Sequence, residues 1–233
     1  MQNPLIIAYK GEIGSFILSG LLRVMPKALN IFCVDVNETE QEVIERIKKS
    51  DVIFLCVPLD MTIEWIMQYR NLLRNKIIIE QCSLKEWIYE DPRIRNFDVR
   101  SMHILFRPSQ TPNLEDRELA LFENQFNDDM VETLQLLTQS KLVWYKDAKE
   151  HDREMAVQQG INHRTLLILG KMLENCNGST YISKKVIELS DRIKKGEKSL
   201  YGRIQENKYL PEKLKELERE FKEFNIEDYW EDK

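Results

Sequence analysis

Histidine is scarce in this chain, with three among 233 residues. Cysteine is hardly commoner, and the four at positions 33, 56, 82 and 176 lack the close pairing of metal sites. Three of them lie inside apolar runs, where a reduced thiol behaves as a small hydrophobe. That excludes a disulfide scaffold and fits a reducing cytoplasm. Long apolar stretches are missing too: runs such as Val52 to Leu59 are strand-length, far short of the ~20 residues of a membrane helix. The opening MQNPLIIAYKGE has no basic start, long apolar stretch or small-residue cleavage site, so no signal peptide is expected. There is no basic excess either, since 34 Lys and Arg stand against 39 Asp and Glu, a formal charge of −5. No field for nucleic acid or an anionic membrane results, and small-molecule or protein partners are expected.

What is present is enough apolar residue, 42% of the chain, for one large or two modest domains. Up to about residue 145, short β-branched runs alternate with amphipathic stretches. PLIIAY, a helix from about Ile13 to Met25, NIFCVDV, a helix over Thr39 to Lys49, VIFLCVP, a helix near Met61 to Leu73 and KIIIEQC form a βαβαβαβ series. VRSMHILF and KLVWY add strands. Continuous apolar strands crossed by helices predict an α/β fold with a doubly wound parallel sheet of Rossmann type, residues 1–145. Beyond Tyr145 the period is helical, giving an all-helical domain over 146–233. Asp147 and Glu150 suggest a capping box opening a helix to about Cys176; further helices follow over Tyr181 to Lys195, Leu200 to Asn207 and Pro211 to Phe224. Leu210, Leu214, Leu217, Phe221 and Phe224 form one apolar stripe, either core or a dimer interface.

Strand one leads into YKGEIGSF. A dinucleotide-binding turn asks for G-x-G-x-x-G there; Gly11 and Gly14 fill the second and third places and Tyr9 the first. The second strand ends in Asp35, 21 residues beyond Gly14, placed for ribose hydroxyls and repelling a 2′-phosphate, which favours NAD over NADP; it also reads as a turn residue. Ser83 follows a strand end, as a ligand contact or a helix N-cap. His103 ends another strand, as a general base or a structural residue. In HDREMAVQQGINH, His151, Met155, Gln159 and His163 recur every four residues on one broad helical face. The two histidines are ~18 Å apart by helical rise and cannot share a metal. Read without a ligand, the stretch is a capped helix with His163 in its interior.

The pattern HD-x-x-M-x-x-x-Q-x-x-x-H resembles the long helix of the prephenate dehydrogenase family. Gly11 and Gly14 then resemble its cofactor loop, VIFLCVP its strand ending in Val-Pro, Cys82-Ser83-Leu84-Lys85 its Ser-Val-Lys segment, and HILFRP its H-P-M-F-G-P. Arg192, Leu200-Tyr201 and Asn207 resemble its arginine helix. The likeness spans roughly residues 5 to 225 and puts all three histidines on family positions. It implies NAD-dependent oxidative decarboxylation of prephenate or arogenate, in tyrosine biosynthesis, by a homodimer joined through C-terminal helices. His103 would accept the hydrogen bond or proton of the ring hydroxyl and Ser83 would orient it. Arg192 would hold a carboxylate and His163 would shape the pocket. Gly11, Glu12, Ile13, Gly14, Asp35 and Pro58 would contact the cofactor. Tyr9, Ile104 and Arg107 depart from the pattern. Arg107, where the family has glycine, adds a second anion contact or alters the substrate. Two alternatives follow: a dehydrogenase for another carboxylated hydroxy substrate, or a non-catalytic relative without cofactor.

Overall fold

The computed structural model describes residues 3–25, 30–196 and 198–225. The chain divides into two compact units between His151 and Asp152. The first contains β1 (Pro4–Ile7), α1 (Glu12–Val24), β2 (Phe32–Val34), α2 (Glu40–Lys49), β3 (Val52–Leu55), α3 (Leu59–Gln68), α4 (Arg70–Leu73) and β4 (Ile77–Glu80). It continues with α5 (Glu86–Tyr89), β5 (Asp98–Ile104), β6 (Glu118–Phe122), α6 (Asp128–Thr138), β7 (Lys141–Tyr145) and the start of α7 (Ala148–Met155). The strands form one seven-stranded sheet in the order β2-β1-β3-β4-β5-β6-β7. All pairings are parallel except β5 with β6, where His103 faces Ala120. The doubly wound fold expected from the sequence is present. The reading did not include β6 or α6, because ELALF is five residues long and follows a loop holding two prolines.

Strands one and three, and strand four up to Ile79, are apolar because both faces of the sheet are covered. Leu5, Ile7, Ile53, Leu55 and Ile78 pack under α2, α3 and α5; Ile6, Phe54, Ile79 and Met102 pack under α1 and α6. Since β1 pairs with β2 on one side and β3 on the other, the chain leaves the sheet in opposite directions beside β1. In open α/β sheets, ligands bind in the crevice opened by such a reversal, at the carboxyl ends of the strands.

The turn from β1 to α1 explains how Tyr9 stands where a glycine was expected. Its left-handed residue is Ala8, with φ of 61°, so Tyr9 need not adopt that conformation. Gly14 is required by packing, since a Cβ there would lie 2.3 Å from the Ala8 carbonyl oxygen and 2.7 Å from Tyr9 Cα.

The carboxyl end of β4 is tied down by a buried ion pair. Glu80 and Lys85 are both fully buried, with Lys85 Nζ 2.8 Å from Glu80 Oε1. Glu80 also accepts from the Ser101 hydroxyl and, through Oε2, from the Cys82 backbone N–H at 2.7 Å. Lys85 Nζ makes a further bond of 2.9 Å to the carbonyl of Met102, one residue before His103. β4 has already ended at that level, so the ammonium supplies the donor that a strand would have supplied.

The second unit is helical. The run expected from Asp147 to Cys176 is present as α7, a π-helical segment (Ala156–Ile161) and α8 (Asn162–Leu173). Asp147 Oδ1 accepts from the Glu150 N–H at 2.8 Å, and the Glu150 carboxylate reaches back to the Lys146 N–H at 2.7 Å. The helices α9 (Tyr181–Lys195), α10 (Lys198–Gln205) and α11 (Leu210–Glu223) follow within about two residues of the expected ends. The π segment disturbs the helical ladder, and the Gln205 side chain donates to the Gly160 carbonyl at 3.0 Å. Asn207, buried, donates to the Asp152 carbonyl at 2.7 Å. The apolar stripe of α11 is divided: Leu210 is buried, whereas Phe221 and Phe224 are exposed.

Two stability measurements test this account. Ala8→Gly is expected to keep or raise the thermal midpoint, while Ala8→Val, β-branched in a left-handed position, should cost about 1–2 kcal/mol. Equal losses in both would mean that the Ala8 side chain matters more than its backbone. Lys85→Met strands the Glu80 carboxylate and should cost about 3–5 kcal/mol in denaturant unfolding, with much of the loss recovered by adding Glu80→Gln. No recovery in the double variant would contradict the pairing.

Candidate active site

His103 is buried one residue before the end of β5, and its Nδ1 lies 3.0 Å from Nε2 of His151, in the first turn of α7. The rings meet edge to face, with centroids 5.2 Å apart. His151 is fully buried and is enclosed by Phe122 at 5.5 Å and Tyr145 at 5.0 Å. Burial pushes the His103 pKa well below the ordinary histidine value, and the neighbouring His151 and the Lys85 ammonium push the same way. His151 is lowered by burial and then by Lys85. Both rings are therefore neutral near pH 7, and a neutral imidazole has one nitrogen free to accept a proton.

Of the two strand-end candidates, Ser83 is half-buried in the loop between β4 and α5. It is not the N-cap of α5, a place taken by Lys85, which makes no side-chain cap bond. Arg107 is held by Glu12: its Nε lies 2.9 Å from Glu12 Oε2, while Glu12 Oε1 accepts from the Ser109 N–H at 2.9 Å and from its hydroxyl. Partial burial raises the Glu12 pKa, but the Ser109 and Arg107 hydrogen bonds outweigh it and leave the carboxyl below its usual range. The first turn of α1 is thereby fastened to the loop after β5.

Three features of the crevice beside β1 suit a dinucleotide. α1 starts at Glu12, so the first-turn N–H groups of Glu12, Ile13 and Gly14 form a helix N-terminus suited to a phosphate. Gly11 is extended and exposed, and a Cβ there would meet only the Ala8 carbonyl oxygen, at 3.3 Å, so the fold alone demands glycine less at 11 than at 14. The Asp35 carboxylate accepts one bond per oxygen, from the Lys10 N–H and the Val36 N–H at 2.9 Å each. These bonds hold its pKa below the usual range and leave lone pairs for hydroxyl groups. Apart from these, Gln81, one residue beyond β4, buries both ends of its carboxamide with no hydrogen-bond partner among the described residues. Pro58 is the N-cap residue of α3 and is exposed at the same edge of the sheet.

In the helical unit, His163 on α8 packs edge to face on Tyr201 with centroids 5.0 Å apart, and burial lowers its pKa. His163 Nδ1 and Gln159 Oε1 are buried without hydrogen-bond partners among the described residues. Arg192 is exposed on α9 and pairs with Glu188 one turn earlier. No group of His, Cys, Asp and Glu suited to a metal ion occurs among the described residues.

The sequence reading missed His151 as a partner of His103, because the two are 48 residues apart and no local spacing joins them. It missed Glu80 and Lys85 as well. A carboxylate closing the apolar run IIIE, with a lysine five residues later, was the available signal.

No protein-family model matches the chain, and no curated protein matches it. Among solved structures, it superposes on a candidate prephenate dehydrogenase from Corynebacterium glutamicum with a TM-score of 0.74, at 15% identity, over 94% of this chain and 79% of that one. A semialdehyde dehydrogenase NAD-binding protein from Cupriavidus necator, solved with calcium and NAD, gives 0.56 at 12% identity over 81% and 80%. A pyrroline carboxylate reductase from Plasmodium falciparum with NADP bound gives 0.51 at 15% identity over 93% and 89%. At such identities the likeness is one of fold: a Rossmann-type sheet with a helical C-terminal region.

Proposed function

We propose that the protein is a dehydrogenase of the prephenate or arogenate type, using a nicotinamide dinucleotide and preferring NAD. The observation that carries this reading is a buried, neutral His103 at the carboxyl end of β5, on the same sheet edge as the β1 to α1 turn. In this reading the N-terminus of α1 and Gly11 receive the pyrophosphate, and Asp35 binds the adenosine ribose. Ile13 and Pro58 border the same cleft. The bound nicotinamide supplies the hydride acceptor. His103 accepts the hydrogen bond of the substrate hydroxyl and takes its proton as the carbonyl forms, and Ser83 orients that hydroxyl. Arg192 holds a substrate carboxylate, which guanidinium geometry suits. His163 and Gln159 each bring a buried atom without a partner among the described residues, which a polar substrate would satisfy. Loss of carbon dioxide with aromatisation drives the reaction, so the protein's main task is placement.

A second reading, a different carboxylated hydroxy substrate, is favoured by Arg107, whose guanidinium sits on Glu12 beside the glycine turn where the family has a glycine. We further propose a reducing cytoplasmic location, in which the cysteines would stay free. No helix among the described residues is long and apolar enough to cross a membrane. We also propose a homodimer through the helical unit, because Ile168, Met172, Ile182 and Phe221 are each more than half exposed there.

Formation of reduced nicotinamide from NAD or NADP with prephenate or arogenate tests the assignment. NAD reduction with one substrate supports it; NAD binding in calorimetry with no turnover of either favours the second reading, and no binding of either dinucleotide favours the non-catalytic one. His103→Asn should lower kcat about 10²- to 10⁴-fold with NAD affinity unchanged, and an unaltered rate would remove it as the base. Arg192→Gln should raise KM for substrate far more than for NAD; equal effects would make Arg192 a structural residue. Met172→Glu with Ile182→Glu should convert a dimer to monomer in sedimentation, and a wild-type monomer would overturn that proposal.

A further inference from the structure

The contact between His103 Nδ1 and His151 Nε2 holds a single proton, because two neutral imidazoles have one N–H each and two N–H groups cannot point at one another. Two arrangements satisfy the 3.0 Å distance. In one, His103 donates through Nδ1, and its Nε2 keeps a lone pair. In the other, His151 donates through Nε2, which leaves the second His103 nitrogen protonated and unable to take a proton from a substrate. Only the first is compatible with His103 as a proton acceptor.

We propose that His151 is the positioning residue that fixes His103 in its Nδ1–H tautomer, turning a lone pair of Nε2 toward the substrate hydroxyl. The proposal deepens the dehydrogenase reading and rests on it for the role of Nε2. Four features of the structure support it. His151 is fully buried, so water does not compete for the contact. Its ring packs against both Phe122 and Tyr145, which touch each other, and these contacts limit its rotation away from His103. β5 is anchored immediately before His103 by the Lys85 bond to the Met102 carbonyl. Lys85 acts on both rings and disfavours a second positive charge on either, while the carboxylate of its partner Glu80 is taken up by Lys85, Ser101 and Cys82.

This arrangement differs from a histidine backed by a carboxylate. A carboxylate fixes the tautomer and also stabilises the imidazolium that forms. His151 does only the first, being neutral with Lys85 close by. His103 is accordingly a weak base that forms a hydrogen bond early and accepts the proton only as the substrate carbonyl forms.

The test uses nitrogen-15 NMR of histidine-labelled full-length protein near pH 7, which is practicable because there are three histidines to assign, with His103→Asn identifying the signals. The expected wild-type result is an unprotonated Nε2 and a protonated Nδ1 on His103. His151→Phe, which keeps an aromatic ring against Phe122 and Tyr145 but removes the acceptor, should move the proton to Nε2. His151→Gln, whose side-chain oxygen reaches about as far as Nε2, should restore the wild-type pattern. Turnover with the substrate that wild type accepts should fall at least tenfold in His151→Phe and recover in His151→Gln, with melting temperatures reported alongside. A wild-type His103 protonated on Nε2 overturns the proposal, as does a tautomer unchanged in a folded His151→Phe protein. Neither NMR result depends on turnover, so a failed substrate assay would count against the dehydrogenase reading and leave the tautomer result standing.

Discussion

The bond from the buried Lys85 ammonium to the Met102 carbonyl is the point on which the site depends. Parallel strands hold each other only as far as both extend, and β4 stops at Glu80 while β5 runs on to Ile104. Beyond that level, Met102 would present a carbonyl with no strand on the β4 side. Lys85 fills the gap, and Glu80 balances its charge at 2.8 Å. Removing two charges from water is costly, and a hydrophobic pair of equal volume would often stabilise a fold as well. What the ion pair adds is direction: it fixes the backbone one residue before His103 and places a positive charge beside two imidazoles.

A second constraint acts at the other end of the sheet edge. The β1 to α1 turn uses Ala8 as its left-handed residue and Gly14 for close packing, and leaves Gly11 exposed. Glu12, the first residue of α1, places a carboxylate at a helix N-terminus, where negative charge is favourable. It spends that charge on Arg107 and Ser109, joining the loop after the His103 strand to the glycine turn. Two loops far apart in sequence are thus fastened to each other, and Arg107 receives its counter-charge from within the chain.

Much of this was legible in the sequence. The alternation of β-branched runs with amphipathic stretches gave the doubly wound sheet, since strands covered on both faces must be apolar throughout. Thirteen residues from His151 to His163 carried a family resemblance, and the scarcity of histidine made their placement informative. β6 stayed hidden because a five-residue strand entered by an antiparallel step lacks the βαβ context that identified the others. The sequence does not say which residue of the β1 to α1 turn takes the positive φ, and the structure gives it to Ala8 and not to Tyr9.

The sequence by itself determined which residues could be buried, where the helical period replaces the strand period, and which polar groups stand at strand ends. Those properties follow from side-chain type and spacing, which are local. Only the tertiary structure decided that His103 meets His151, that Lys85 meets Glu80 and the Met102 carbonyl, and that Arg107 meets Glu12. Two of these contacts join residues separated by 48 and 95 positions. Lys85 is close in sequence to Glu80, but its full burial exists only once β5 lies alongside β4. Contacts of this kind are set by strand order and helix packing, and the protonation of the two histidines follows from the desolvation that such packing imposes.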